Sequence, residues 1–392
     1  MNADQRSCDT EKTFSRASVD TQRPDRTVED MLSSCTMRGS VRLPRDMRRG
    51  VAVVCIVLTL SLLLGSVLIL CGGASMWAIQ FPTSADPEDS RDVNDTSFVS
   101  PEATYPYADG KVGTAVFPTA QGAKTIDASI IGSSHAVVVS IQKGSVIASL
   151  NADESIFPAS MTKVMTMIVV VEQLPHASSL TDIVTISKDV YNRMTAEGSS
   201  GVGFEPGEKL TVEALLYALM LQSDGIAACE LARYVAGDEE AFVELMNQKA
   251  ASMGLSGTHF ENPTGLHHPK HKSTVRNIAS IMAYAMDMQL CRRILTAETY
   301  KAPCVTADGK QITYTFYHNL LIKQFEKNDP NQPSDLTVIA GKTGYTPESG
   351  YCLVTYAQGK DGHDYVVVTT KSDKYAGCIS DYIALYNAYA NS

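Results

Sequence analysis

The run VAVVCIVLTLSLLLGSVLILC, residues 51–71, contains no charged side chain, and none occurs from Gly50 to Ala85. A helix of ~20 apolar residues spans the hydrocarbon core of a bilayer. Such a segment divides the chain into two parts that fold separately. Before it stand Arg38, Arg42, Arg45, Arg48 and Arg49; after it come Asp86, Glu88, Asp89, Asp92 and Asp95, opposed only by Arg91. The positive-inside rule therefore predicts a single transmembrane helix with the N-terminus in the cytoplasm and the long C-terminal part outside. A cleaved signal peptide is the rival reading, but the preceding segment is long and the apolar run exceeds the usual ~7–15 residues. A lipoprotein site at Cys71 would want a small residue where Leu70 stands.

Residues 1–50 are rich in Ser, Thr, Asp and Arg without a periodic apolar face, which predicts a disordered cytoplasmic segment. Residues 72–114, with Pro, Asp, Ser and Thr and few aliphatic side chains, read as an extracytoplasmic stalk. The folded domain is expected over 115–392. No repeat is visible, and the net charge of −10 argues against a nucleic-acid partner. Of nine cysteines, Cys229, Cys291, Cys304, Cys352 and Cys378 fall in the outer domain. Their number is odd and none forms a CxxC pair, so they read as buried thiols.

Two β-branched runs flanking Lys143–Gly144 predict a hairpin over 135–151. PASMTKVMTMIVVVEQL, 158–174, predicts a helix that is apolar nearly all round and hence buried. A polar, glycine-bearing stretch follows at 192–209. Helical periodicity then recurs at 211–221, 225–236, 239–253 and 274–288, strands at 336–344, 350–357 and 364–370, and an amphipathic helix at 378–390. This order predicts an α+β domain: an antiparallel sheet flanked by helices, plus a mostly helical lobe.

Within the 158–174 helix, Ser160 and Lys163 lie about one turn apart on one face. In a first turn, the free N–H groups and the helix dipole favour the negative charge that an attacking serine develops. A lysine among apolar side chains has a lowered pKa and, when neutral, accepts a proton. Nucleophile and general base are thus one reading; an exposed serine and a snorkelling lysine are the other, since SxxK recurs by chance. Lys342-Thr343-Gly344, on a strand, offers a cation and a hydroxyl for a carboxylate, and a bare backbone against which a peptide can pair. Ser223, in a loop before a helix, reads as an N-cap, a catalytic group, or both.

Ser160-Met-Thr-Lys163, Ser223-Asp-Gly225 and Lys342-Thr-Gly344 occur in the order of the S-x-x-K, S-D-N and K-T-G signature. Together with FPASMTKVMT, FEPGEKLTVEALLYALM, FENPTGLHHPKHKST and IAGKTGYTPESGYCLVTYA, they make residues 125–390 resemble the D-alanyl-D-alanine carboxypeptidases, the low-molecular-mass penicillin-binding proteins. The resemblance implies a β-lactamase/transpeptidase-like fold and a serine acyl-transfer cycle on peptidoglycan stem peptides, with β-lactams as inhibitors and neither cofactor nor metal. It implies that Ser160 attacks, Lys163 takes the proton and Ser223 relays it to the leaving amine. Lys342, Thr343 and Gly344 would bind substrate, and the backbone N–H groups of Ser160 and Tyr345 would form the oxyanion hole. The place implied is the outer face of a bacterial cell membrane, with residues 51–71 as anchor in place of the C-terminal amphipathic helix of many relatives.

One motif residue departs. Gly225 stands where an asparagine is usual, so a hydrogen bond to substrate and lysine is missing. The expectation is a slower enzyme, improved by Gly225→Asn where the backbone allows a side chain; a catalytically weak wall-binding or β-lactam-sensing receptor is the alternative. A β-lactamase would need a deacylating carboxylate, for which Glu261 is the candidate. His267, His268 and His271 raise a zinc peptidase, but Pro269 interrupts them and no HExxH is present. They read instead as a polar surface loop.

Overall fold

The computed structural model describes residues 116–318, 320, 335–360 and 362–390; the predicted cytoplasmic segment, transmembrane helix and stalk lie outside the described residues. The β-branched runs form the centre of a six-stranded sheet. Its strands are β1 (Thr119–Thr125), β2 (His135–Ser140), β3 (Ser145–Leu150), β8 (Leu336–Thr346), β9 (Gly350–Gly359) and β10 (Asp364–Ser372). Their order across the sheet is β1-β3-β2-β10-β9-β8, so β8 is an edge. All neighbours pair antiparallel except β1 with β3.

Every residue of β2, HAVVVS, is buried, because the sheet is covered on both faces. Val137 and Val139 join Val354, Val366 and Val368 in the main core beneath the helices. Ala136 and Val138 point the other way, with Val367 and Leu353, toward Tyr382 and Tyr386. Period-2 alternation thus assigns the run to two apolar layers. The C-terminal layer is α8 (Tyr375–Leu385), followed by a π-helical turn at Tyr386–Ala390, so the helix expected at 378–390 begins earlier and changes pitch.

The helical lobe holds α1 (Thr162–Gln173), α2 (Lys188–Ala196), α3 (Val212–Leu221), α4 (Gly225–Ala236), α5 (Glu239–Ser252), α6 (Val275–Asp287) and α7 (Gln289–Leu295). Four starts are fixed by side-chain caps: Thr211, Asp224, Asp238 and Thr274 accept from the N–H of Ala214, Ala227, Ala241 and Asn277. The polar stretch expected at 192–209 begins inside α2, which packs on α4. A second sheet, β4 (Ile183–Thr185), β5 (Lys209–Thr211), β6 (Thr299–Val305) and β7 (Gln311–Tyr317), edges the lobe and carries no strong sequence signal. Tyr300 of β6 stacks on Tyr217 of α3 with centroids 3.8 Å apart. Cys229, Cys291, Cys304, Cys352 and Cys378 are free and buried, as read from their spacing. Among the described residues no helix is long and apolar enough to cross a membrane.

Candidate active site

The helix expected to start at Pro158 starts later. Residues Ala159–Met161 form a 3-10 turn, and α1 follows from Thr162. Ser160 is therefore presented by a tight turn rather than by a regular first turn of α-helix. Ala159 before it has φ +46, a left-handed conformation that costs a residue with a Cβ of order 1 kcal/mol or more. Two glycines make room for this turn. A Cβ on Gly265 would lie 1.9 Å from the Ala159 carbonyl oxygen, and one on Gly344 would lie 3.0 Å from both Ala159 Cβ and Ser160 N. Gly344 thus does more than leave a strand edge bare: it lets β8 close against the backbone of the serine.

Lys163, one turn on, is 1% exposed. Its Nζ lies 3.1 Å from Ser160 Oγ and donates to the Thr264 carbonyl at 2.6 Å. Burial pulls its pKa from 10.5 down to about 8, opposed by the charge of Asp224. An amine so placed is partly neutral near neutral pH, with the serine hydroxyl within hydrogen-bond reach. The snorkelling alternative does not describe this side chain.

Opposite stands Ser223, with φ +57. Its Oγ accepts from Lys342 Nζ at 2.8 Å. The cap of α4 is not Ser223 but Asp224, whose Oδ1 accepts from Ala227 N and whose Oδ2 accepts from Val202 N, both at 2.8 Å. The serine is left free of capping duty. Burial raises the Asp224 carboxyl; its N–H donors and Lys163 oppose that rise. Burial and the charge of Lys163 hold the Lys342 amine well below its ordinary value.

Gly225 is not in a positive-φ conformation, yet a side chain there would be crowded, with Ser199 Cβ 3.0 Å from its Cβ and the Ser199 hydroxyl obliged to turn away. A Cβ there would lie 1.9 Å from Ser199 Oγ and 3.2 Å from Met194 Sδ. The loop after α2 closes over the start of α4, with Gly225 N donating to Ser200 O at 2.9 Å. The backbone at Gly225 thus meets the condition set for Gly225→Asn, but the loop packed against it requires Ser199 to move before an asparagine fits.

Thr343 is half-buried, and Tyr345 is 55% exposed beside Tyr351. A cleft of about 180 Å³ runs from Ser223, Lys342 and Thr343 to His318 and Tyr375. His318 escaped the sequence reading: it is 4% exposed and its Nε2 has no hydrogen-bond partner among the described residues. Burial and Lys342 hold its pKa near 4, so the imidazole is neutral and offers a lone pair. No motif marks it. Of the three histidines expected on a polar surface loop, His267 and His268 lie there and His271 does not. His259 and His268 both pair with Glu261, and His267 with Glu348, whereas His271 is only 2% exposed. Among the described residues no group of three or more His, Cys, Asp or Glu is placed to hold a metal ion.

Two hydroxyls, Ser160 and Ser223, thus each meet a buried amine, beside an edge strand. A neutral amine can deprotonate the first serine, and the second can carry a proton onward. Residues 122–374 match the family profile described as peptidase S11, D-alanyl-D-alanine carboxypeptidase. D-alanyl-D-alanine carboxypeptidase DacC of Escherichia coli K12 is 35% identical over 262 residues, 66% of this chain and 62% of that one. DacF of Bacillus subtilis is 32% identical over 225 residues, 57% and 53% of the two chains. The chain thus spans less than two thirds of the length of these curated relatives. The crystal structure of the Streptomyces K15 DD-transpeptidase superposes with a TM-score of 0.60 at 29% identity, covering 66% of this chain and 96% of that one. By the extent of that profile and the agreement of fold and motif geometry, this chain belongs to peptidase family S11, the D-alanyl-D-alanine carboxypeptidases.

Proposed function

We propose that the protein is a serine-type D-alanyl-D-alanine carboxypeptidase that trims the terminal D-alanine from peptidoglycan stem peptides through an acyl-enzyme, and that β-lactams trap this acyl-enzyme. The observation that carries the reading is the 3.1 Å approach of a buried, pKa-lowered Lys163 to Ser160. Ser160 Oγ gives its proton to the Lys163 amine and attacks the carbonyl between the two D-alanines. The oxyanion forms beside the N–H groups of Ser160 and Tyr345. As the C–N bond breaks, Ser223 passes its proton to the leaving nitrogen and is reprotonated by the proton that Lys163 took from Ser160, so the lysine returns to the neutral amine. Lys342 and Thr343 hold the terminal carboxylate, whose charge favours the protonated form of Lys342. Water, deprotonated in the same way, releases the shortened peptide and restores Ser160.

We also infer that residues 51–71 anchor the enzyme in the bacterial cell membrane with the domain outside, on the strength of the uncharged run and its flanking charges. The test of function is release of free D-alanine from a peptide ending in D-Ala-D-Ala, run beside labelled penicillin. Release together with a covalent adduct on Ser160 is expected. An adduct without release would identify a receptor that acylates and stalls; neither would remove the reading.

A further inference from the structure

The imidazole of His271 is buried beneath the loop of residues 261–265, whose Thr264 carbonyl accepts from Lys163 Nζ at 2.6 Å. Its two ring nitrogens have unlike partners. The backbone N–H of Glu261 donates to Nδ1 at 3.2 Å, so Nδ1 carries a lone pair. Nε2 then carries the proton and donates to Thr162 Oγ1 at 2.8 Å. The ring therefore ties the start of the loop to the α1 residue next to Lys163. Inside the loop, Asn262 Oδ1 accepts from the N–H groups of Thr264 and Gly265 and from the Thr264 hydroxyl. These bonds make 262–265 one rigid turn, so fixing Glu261 fixes the Thr264 carbonyl. Thr166, one turn along α1, holds Pro263 O at 2.7 Å.

We propose that His271 is a positioning residue for the Lys163 base: by joining Glu261 to Thr162 it keeps the Thr264 carbonyl on the amine and water away from it. The inference rests on reading Lys163 as the base. The charged and titratable groups that face the ring are His259, His267, His268 and Lys163, which all oppose a proton on it. The Glu261 carboxylate is engaged by His259 and His268 instead. Burial first, and these charges after it, keep the imidazole in the neutral form that the two bonds require.

Two effects compete when this tie is cut. Loss of the carbonyl acceptor alone lowers the Lys163 pKa; entry of water raises it. Burial is the largest cause of the lowered value, so the rise wins. His271→Phe keeps a buried ring against Phe260, at present edge-to-face with centroids 5.5 Å apart, and removes both bonds.

The experiment uses the full-length protein. Competitive labelling with trace acetic anhydride, read peptide by peptide by mass spectrometry, gives the Lys163 pKa without needing activity. In His271→Phe, Lys163 should titrate about one pH unit higher, and penicillin acylation at pH 7 should fall about tenfold as the neutral fraction falls. The acid limb of the acylation profile should move up by the same amount. His271→Asn and His271→Gln, which each keep one of the two bonds, should lie between. A folded His271→Phe protein with an unmoved Lys163 pKa and acid limb overturns the proposal. If that variant does not fold, Thr162→Val decides: it removes the Nε2 acceptor, and an unchanged Lys163 pKa there overturns the proposal equally. Wild-type protein that penicillin never acylates would instead sink the proposed function, while the labelling result would stand on its own.

Discussion

Holding the Lys163 amine at about 8 rather than 10.5 corresponds to roughly 3 kcal/mol, because one pH unit is ~1.36 kcal/mol. The sign follows from proton counts. Between pH 8 and 10.5 the unfolded chain keeps a proton that the folded chain has lost, so stability rises with pH there. Below pH 8 the cost of burying the ammonium is fully present. Lys163→Met should therefore raise stability at pH 7 by up to ~3 kcal/mol, with the gain fading between pH 8 and 10.5, while acylation falls by ~10²–10⁴. Paired melting curves and labelled-penicillin kinetics check both halves; a less stable methionine protein would mean that the bonds to Ser160 and Thr264 outweigh the burial cost. In the native enzyme, acylation should climb with pH to a plateau above about 8. Gly225 leads to the opposite kind of substitution. An asparagine there is overpacked against Ser199 and Met194, which typically costs ~1–3 kcal/mol. Gly225→Asn should melt lower and turn over no faster, and adding Ser199→Gly should recover much of the loss. The sequence shows that an amide is missing at 225. It does not show the loop that fills the space, because that contact joins residues 26 positions apart with no periodic signal between them.

At the scale of elements, the site depends on how closely β8 approaches the Ala159–Met161 turn. Gly344 sits at that approach, with 3.0 Å from its missing Cβ to Ser160 N. Gly344→Ala must push strand or turn aside by a few tenths of an ångström. Misplacement of ~1 Å costs on the order of 10²-fold in rate, so a fall in acylation of about tenfold is expected, with near-native melting. Asp224→Ala acts from another side. It removes the α4 cap and the bond to Val202 N, so a loss of roughly 1–2 kcal/mol is expected, read as a lowered melting temperature. The elements that carry the motifs were legible because their apolar residues repeat cleanly. β2 and β10 are β-branched runs, and α1, α3 and α4 are buried almost throughout. α2 was not, since only Val190 and Met194 of its nine residues are buried. β4 and β5 have three residues each, too few for any period to show. β6 carries Pro303, a residue that argues against a strand by composition alone. The start of α1 was displaced for a different reason: the left-handed turn at Ala159 packs in space that Gly265 and Gly344 leave open, a contact between residues far apart in the sequence.

For the whole molecule, the three motifs lie between residues 160 and 344, and the family profile covers 122–374. The domain holds its five cysteines as buried thiols whose pKa values burial raises, so reductant should leave its melting temperature unchanged. On the proposed anchor reading, residues 1–114 would contribute location rather than chemistry. If residues 51–71 span the bilayer, transfer of ~20 apolar residues makes attachment effectively irreversible, and alkaline carbonate should not extract the full-length protein. A chain beginning at residue 115 should appear in the soluble fraction and react with labelled penicillin within about twofold of the full-length rate, because chemistry confined to the site is set by local geometry. Protease added to spheroplasts should degrade the domain of the full-length protein, since the five flanking arginines favour the cytoplasmic side. Each outcome has its own meaning. Carbonate extraction of the full-length chain would reject a spanning helix. A truncated chain that still sediments with membranes would place an attachment site within 115–392. Full protection in spheroplasts would reverse the orientation, and a truncated chain acylated far more slowly would show that the segment before residue 115 helps to hold the site.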